Sequence, residues 1–197
     1  METRRLLVIG APHSGTRYMA RVLRAAGVQV GHERVGREGS VSSYFVADDY
    51  WYGGKEHMGG RLRDFAFDHV WHQVRHPLAA ISSIANLCPV SWWHWQEKHT
   101  GVSYDLPPIE RGTAAWLAFN ELAERQKPEL SFTIEHMEHS WPILATRLGI
   151  EGTPLPDVPY ADTRSTHPKL KVTWEALGSY ESRVRDLARH YGYGEAS

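Results

Sequence analysis

Leu6-Leu7-Val8-Ile9-Gly10-Ala11-Pro12-His13-Ser14-Gly15-Thr16-Arg17 is the stretch whose reading decides the fold. Its first four residues form an unbroken aliphatic run, the pattern of a strand buried on both faces, as in a parallel sheet. Gly10 to Gly15 reads as a turn. Beyond it Met19, Val22, Leu23 and Ala26 fall at i, i+3, i+4 and i+7 and share one helix face. Arg17, Arg21 and Arg24 share another, and Gly27 ends the helix. Strand, glycine-bearing turn and helix open a βαβ unit.

Working outward, residues 28–30, 68–74 and 130–134 read as three further strands. Residues 40–50 read as a helix with serines available to cap it. Pro77 suits a first helical turn, giving a helix to about residue 87. Residues 113–126 place Trp116, Leu117, Asn120 and Ala123 on or near one buried side. Ser140 is read as the cap of a helix that begins near Pro142 and stops at Gly149. Tyr180, Val184, Leu187, Ala188 and Tyr191 mark an amphipathic last helix. Strands alternating with helices predict a single α/β domain over residues 1–197, three-layered, with a mostly parallel sheet and helices on both faces. Ligands of such sheets bind outside the carboxyl ends of the strands. The Gly10–Gly15 turn and Arg75 both fall at such ends, although they are far apart in sequence.

Composition narrows the function classes. The formal net charge of -1 gives no global attraction to nucleic acid or to an anionic membrane, so an anion site must be built from locally placed residues. The single cysteine, Cys88, excludes an internal disulfide framework and points to a reducing compartment. No apolar stretch is long enough for a signal core or a bilayer span, so a cytoplasmic protein is expected.

A glycine-flanked turn that opens a helix presents backbone N–H groups and the positive end of the helix dipole to an anion. Gly10 to Arg17 has that form and predicts a nucleotide-binding fold of the P-loop type. It departs from the triphosphatase pattern G-x-x-x-x-G-K-[ST], which needs Lys where Thr16 stands and Ser or Thr where Arg17 stands. The usual charge on the terminal phosphates and the usual magnesium ligand are therefore both missing.

Pro12-His13-Ser14-Gly15-Thr16-Arg17 resembles the phosphosulfate loop of the sulfotransferase family, P-[KR]-S-G-T-T, with His13 in the basic position and Arg17 in place of Thr. The resemblance implies a loop that binds the 5′-phosphosulfate of 3′-phosphoadenosine 5′-phosphosulfate without a metal, leaving adenosine 3′,5′-bisphosphate as product. It further implies a 3′-phosphate held by Arg75, at a strand end, and by Ser83, eight positions on in the following helix. An arginine offers phosphate a bidentate fork and a serine one more donor. Residues 132–137 resemble the family's strand ending in an acidic residue. The loop carrying Arg164, Lys169 and Lys171 lies where the family closes a basic segment over the nucleotide. The implied activity is transfer of the sulfuryl group to a hydroxyl or amine of a small-molecule, glycan or lipid acceptor.

An acceptor hydroxyl must give up a proton to a general base. Gly31-His32-Glu33 follows the second strand and projects from the same sheet edge, so Glu33 is expected as the base and His32 as its substitute. His13 would act on the leaving group, as a neutral imidazole with one donor. His94 with His99, and His136 with His139, match no standard zinc spacing and have no cysteine partner, so no metal is expected. Trp92-Trp93-His94-Trp95 suits an acceptor pocket, core packing or a homodimer contact. Two other functions fit the same residues: a kinase or nucleotide triphosphatase with a degenerate loop, and a nucleotide-binding relic without catalysis.

Overall fold

The computed structural model describes residues 2–44, 64–86, 90–159 and 170–194. The elements run β1 (Glu2–Gly10), α1 (Thr16–Ala25), β2 (Val30–His32), β3 (Gly39–Ser42), β4 (Phe65–Val74), α2 (Pro77–Ile84), α3 (Val90–Thr100), α4 (Pro108–Arg125), β5 (Leu130–Thr133), α5 (Met137–Arg147) and α6 (Glu181–His190). The five strands form one all-parallel sheet in the order β2-β3-β1-β4-β5. Helices cover both faces, as the alternation of elements predicts.

β1 is central because both of its faces are apolar. Successive side chains of a strand point to opposite faces. Leu6 and Val8 join Met19, Val22 and Leu23 of α1 and Trp141, Leu144 and Ala145 of α5 in one core. Leu7 and Ile9 join Ala80, Ile81 and Ile84 of α2, Trp116 and Phe119 of α4, and Val184 and Ala188 of α6 in the other. The chain leaves β1 toward β3 and β2, then crosses to β4 on the opposite side. The carboxyl end of β1 is therefore the place where the winding changes direction, and a ligand crevice opens at such a switch point.

Several elements depart from the sequence reading. Residues 40–42 belong to strand β3, whereas a helix over 40–50 is expected; residues 45–50 lie outside those described. The slot beside β1 decides it. Gly39, at φ 150°, packs so close to Leu6 that a β-carbon would lie 1.7 Å from its carbonyl oxygen. Val41 enters the core, while the Ser40 and Ser42 hydroxyls bond Arg34 O and the Glu33 carboxylate instead of capping a helix. Val28 stands before the second strand, not in it: its N–H reaches Leu23 O at 2.9 Å and closes the end of α1. α5 begins at Met137 and carries Pro142 inside it, because Met137 and Trp141, one turn apart, are both drawn into the core. α4 starts earlier than expected, at Pro108, and the tryptophan-rich segment is helical as α3. Among the described residues no helix is long and apolar enough to cross a membrane.

Candidate functional site

The carboxyl ends of β1, β2 and β4 carry the residues singled out in the sequence. After Gly10 the chain turns tightly, with Ser14 N–H on Ala11 O at 3.0 Å. Gly10 must be glycine: a β-carbon there would lie 2.5 Å from Gln73 O and 2.6 Å from Ser14 Oγ. Gly15 is the N-cap of α1 in the left-handed region (φ 92°), where only glycine sits at little cost. No side chain caps α1, and its first turn holds no acidic residue. The first N–H groups of a helix have no intrahelical acceptor, so this end remains a bare donor array with positive polarity. Pro12 and Ser14 are buried, His13 and Gly15 are half-buried, and Arg17 is exposed. The Ser14 Oγ is buried with no hydrogen-bond partner.

Two side chains from β4 and its end hold the loop from beneath. Gln73, fully buried, donates from Nε2 to Ser14 O at 2.5 Å. Arg75 donates from Nη1 to His13 O at 3.0 Å. Its guanidinium therefore lies against the loop, the position needed to meet an anion bound there. His13 takes φ 60°, a left-handed backbone costly for a residue with a β-carbon. Glu33, at φ 51°, shares this conformation, and Lys127 is the third such non-glycine residue among those described. Strained backbone gathers at ligand sites, and two of the three residues stand at this sheet edge.

On the other side of β1, His32 ends β2 and brings Nε2 to 3.2 Å from Thr16 Oγ1, the first residue of α1. Burial lowers its proton affinity, the Glu33 carboxylate partly restores it, and Arg17 and Arg24 lower it again. The net direction is downward, which favours the neutral imidazole. Glu33 faces a different neighbourhood. Its carboxylate accepts Ser42 Oγ at 2.5 Å, Ser43 N at 3.1 Å and Ser43 Oγ at 3.0 Å. His32 Nε2 is 3.7 Å from it.

The remaining expected residues are placed less directly. Ser83 is buried in α2, and its hydroxyl donates to Ala79 O at 3.2 Å. Neighbouring Ser82 donates to Leu170 O at 2.6 Å, which anchors on α2 the segment that carries exposed Lys171. Arg164 and Lys169 lie outside the described residues. Glu135, beyond β5, accepts the His76 backbone N–H at 3.0 Å and the Tyr193 hydroxyl at 2.6 Å, so the acidic residue after β5 braces the start of α2. His136 and His139 stack edge to face at 6.2 Å. Among the described residues no cluster of three His, Cys, Asp or Glu side chains is placed to hold a metal ion.

Family models, curated proteins and solved structures gave no match to this chain.

The sequence reading did not find Gln73, Ser42 or Ser43. A glutamine in the buried last stretch of a strand, two residues before Arg75, is the signal for the first. The serines were legible only as helix caps, and their true role depends on a strand the local pattern does not announce.

Proposed function

We propose that the protein is a sulfotransferase that binds 3′-phosphoadenosine 5′-phosphosulfate at the Pro12–Arg17 loop and passes the sulfuryl group to an acceptor hydroxyl or amine, in a cytoplasmic setting. The observation that carries this reading is the uncapped, acid-free amino end of α1, bordered by His32 on one side and Arg75 on the other. A nucleotide with its charge at both ends suits that arrangement. The 5′ group meets the helix N–H groups and Arg17, while Arg75, with Ser83 and the Lys171 segment beyond it, faces the second phosphate. The residues fit an anion on a further count: Ser14 Oγ, buried in the loop without a partner, retains a donor to give.

The nucleotide supplies the sulfuryl group, and the chain supplies position and charge. Sulfuryl transfer runs in line between oxygens, so alignment and fixed donors dominate its catalysis. Loop N–H groups hold the equatorial oxygens. Arg75 and Arg17 balance the charge left on the bisphosphate. His32, neutral because burial disfavours its cation, accepts the acceptor's proton at the nitrogen that now meets Thr16 Oγ1. Glu33, with its carboxylate held by three donors, holds His32 in a favourable field and is a positioning residue in this scheme.

The test is thermal denaturation with nucleotides. Adenosine 3′,5′-bisphosphate without magnesium is expected to raise Tm more than Mg-ATP does, since the loop lacks both the lysine and the magnesium-binding hydroxyl of triphosphatases. A larger shift from Mg-ATP would favour a degenerate kinase or triphosphatase. A bisphosphate shift without transfer from the phosphosulfate to any phenol, sugar or lipid alcohol would favour a non-catalytic binder.

A further inference from the structure

A second concave site lies beside the loop, on α6 and the segment that leads into it. It is a cleft of about 380 Å³ lined by Trp174, Arg185, Ala188, Arg189, Tyr193 and Gly194. That volume lies in the range of small-molecule sites, roughly 300–1,000 Å³. We propose that this cleft binds a flat aromatic ring bearing one anionic group, through the stacked Trp174–Arg185 pair.

The walls are aromatic and cationic. The Arg185 guanidinium lies over the Trp174 ring at 4.1 Å from its centroid. Its Nε is held by Glu181 Oε1 at 2.8 Å, one turn back on α6. That bond fixes the guanidinium plane and leaves both Nη groups without a partner among the described residues. Arg189, one turn further on, is paired with Asp186. A fixed guanidinium edge meets a carboxylate or phosphate in bidentate fashion, and its face, like the indole, takes a ring. Ala188 is small and buried, and gives the cleft its depth.

Tyr193 also lines the cleft. Its hydroxyl is spent on Glu135, and burial together with that carboxylate pushes its ionisation far above the ordinary phenol range. The wall it adds is thus an uncharged ring that does not repel an anion. The charged groups around this surface are Arg185 and Arg189 with their partners Glu181 and Asp186, Glu175 within the field of Arg185, and Glu135 with Arg75 behind Tyr193. Arg185, bonded through Nε alone, presents its Nη donors to the cleft.

The cleft also reaches the loop. The His76 ring stands edge-on to Trp174 at 6.1 Å and to Tyr193 at 5.2 Å. The preceding residue, Arg75, holds the His13 carbonyl. His76 and Arg75 thus link the walls of the cleft to the loop, while the lining of the cleft includes no residue of the loop. The assignment does not rest on what the loop binds.

The probe is 1-naphthoate, with 1-naphthol (ring without charge) and acetate (charge without ring) as controls. Binding is read by calorimetry and by the Trp174 indole N–H signal in nitrogen-labelled protein, assigned with Trp174→Phe. The expected result is saturable naphthoate binding that moves the Trp174 signal. Arg185→Gln should weaken it at least about tenfold, the loss of one charge-assisted contact, and both controls should bind more weakly by a similar factor. Arg185 is half-buried, and an unchanged melting curve of the variant shows that it folds. No saturable binding, an unmoved Trp174 signal, or equal affinity in Arg185→Gln overturns the assignment. So does binding lost in Arg17→Ala with the Trp174 signal still, which places the probe at the loop. A failure of bisphosphate to bind the loop would leave each of these outcomes readable.

Discussion

His32 and Glu33 are adjacent in sequence and opposite in circumstance. Three donor groups of Ser42 and Ser43 hold the Glu33 carboxylate, and its left-handed backbone lies in the turn between β2 and β3. His32 brings Nε2 to the first residue of α1, and burial disfavours its cation. Replacing each separates the roles. His32→Asn is expected to lower sulfuryl transfer by roughly 10²–10⁴-fold while bisphosphate affinity stays near wild type, because a general base faces the acceptor. The wild-type rate should rise as pH increases through a range below 6.5, the ordinary imidazole value, and the variant should lack this limb. Glu33→Gln turns an amide toward the Ser42 and Ser43 donors, so its first effect is on stability, about 1–3 kcal/mol. Rates near wild type in His32→Asn, with Glu33→Gln inactive but folded, would return the base to Glu33. That either residue is a candidate was legible from Gly31-His32-Glu33 after an apolar run. Which of them is engaged elsewhere depends on Ser42 and Ser43, brought in by long-range pairing that no local pattern encodes.

Elements here are fixed as much by buried polar ties as by apolar faces. β4 shows this at His72, fully buried where β4, α4 and α6 meet. Its Nδ1 is 3.1 Å from Glu124 Oε1 and its Nε2 is 3.0 Å from Asn120 Oδ1. Asn120 Nδ2 donates to Trp116 O at 2.7 Å, which turns its oxygen toward the imidazole. The Tyr191 hydroxyl adds a donor to Glu124 at 3.1 Å. The hydrogen bond from His72 is the largest of the effects that hold the Glu124 carboxyl below its ordinary value of 4.5, against a smaller effect of burial. A carboxylate whose folded value is depressed stabilises the fold above its unfolded value. That contribution disappears as pH falls through the folded one. Urea denaturation from neutral pH down to the acid limb should therefore show wild type more stable than Glu124→Gln near neutrality, with the gap closing as pH drops below 4.5. A constant gap would mean that the carboxylate charge is not what joins α4 to β4. The apolar face of α4 was legible from Trp116, Leu117 and Ala123. His72 was not, since one histidine in an apolar strand does not declare its partners 48 and 52 residues away.

The whole molecule is two cores on one sheet, and β1 belongs to both. Leu6 and Val8 face one, Leu7 and Ile9 the other. The alternation of strands and helices was enough to foresee this layering. The strand order was not legible, because nothing local in β3 or β4 says which flank of β1 each will take, and β3 itself was hidden in a serine-rich stretch. Shared strands predict shared unfolding. Leu23, on α1, is fully buried in one core, and Ile81, on α2, is fully buried in the other. Truncating either to Ala removes buried methyl groups and leaves a cavity, at a cost of about 2–5 kcal/mol. If the sheet couples the cores, each variant should unfold in one transition that coincides by far-ultraviolet dichroism and by tryptophan fluorescence, since Trp71 reports one core and Trp93 and Trp116 the other. Adenosine 3′,5′-bisphosphate at about a hundred times its Kd should then return roughly 2.7 kcal/mol to both variants alike, although neither side chain belongs to the loop. Two separate transitions, or rescue of Leu23→Ala alone, would show that the α1 side of the sheet folds and binds without the α2 side, and that the chain is two units, not one.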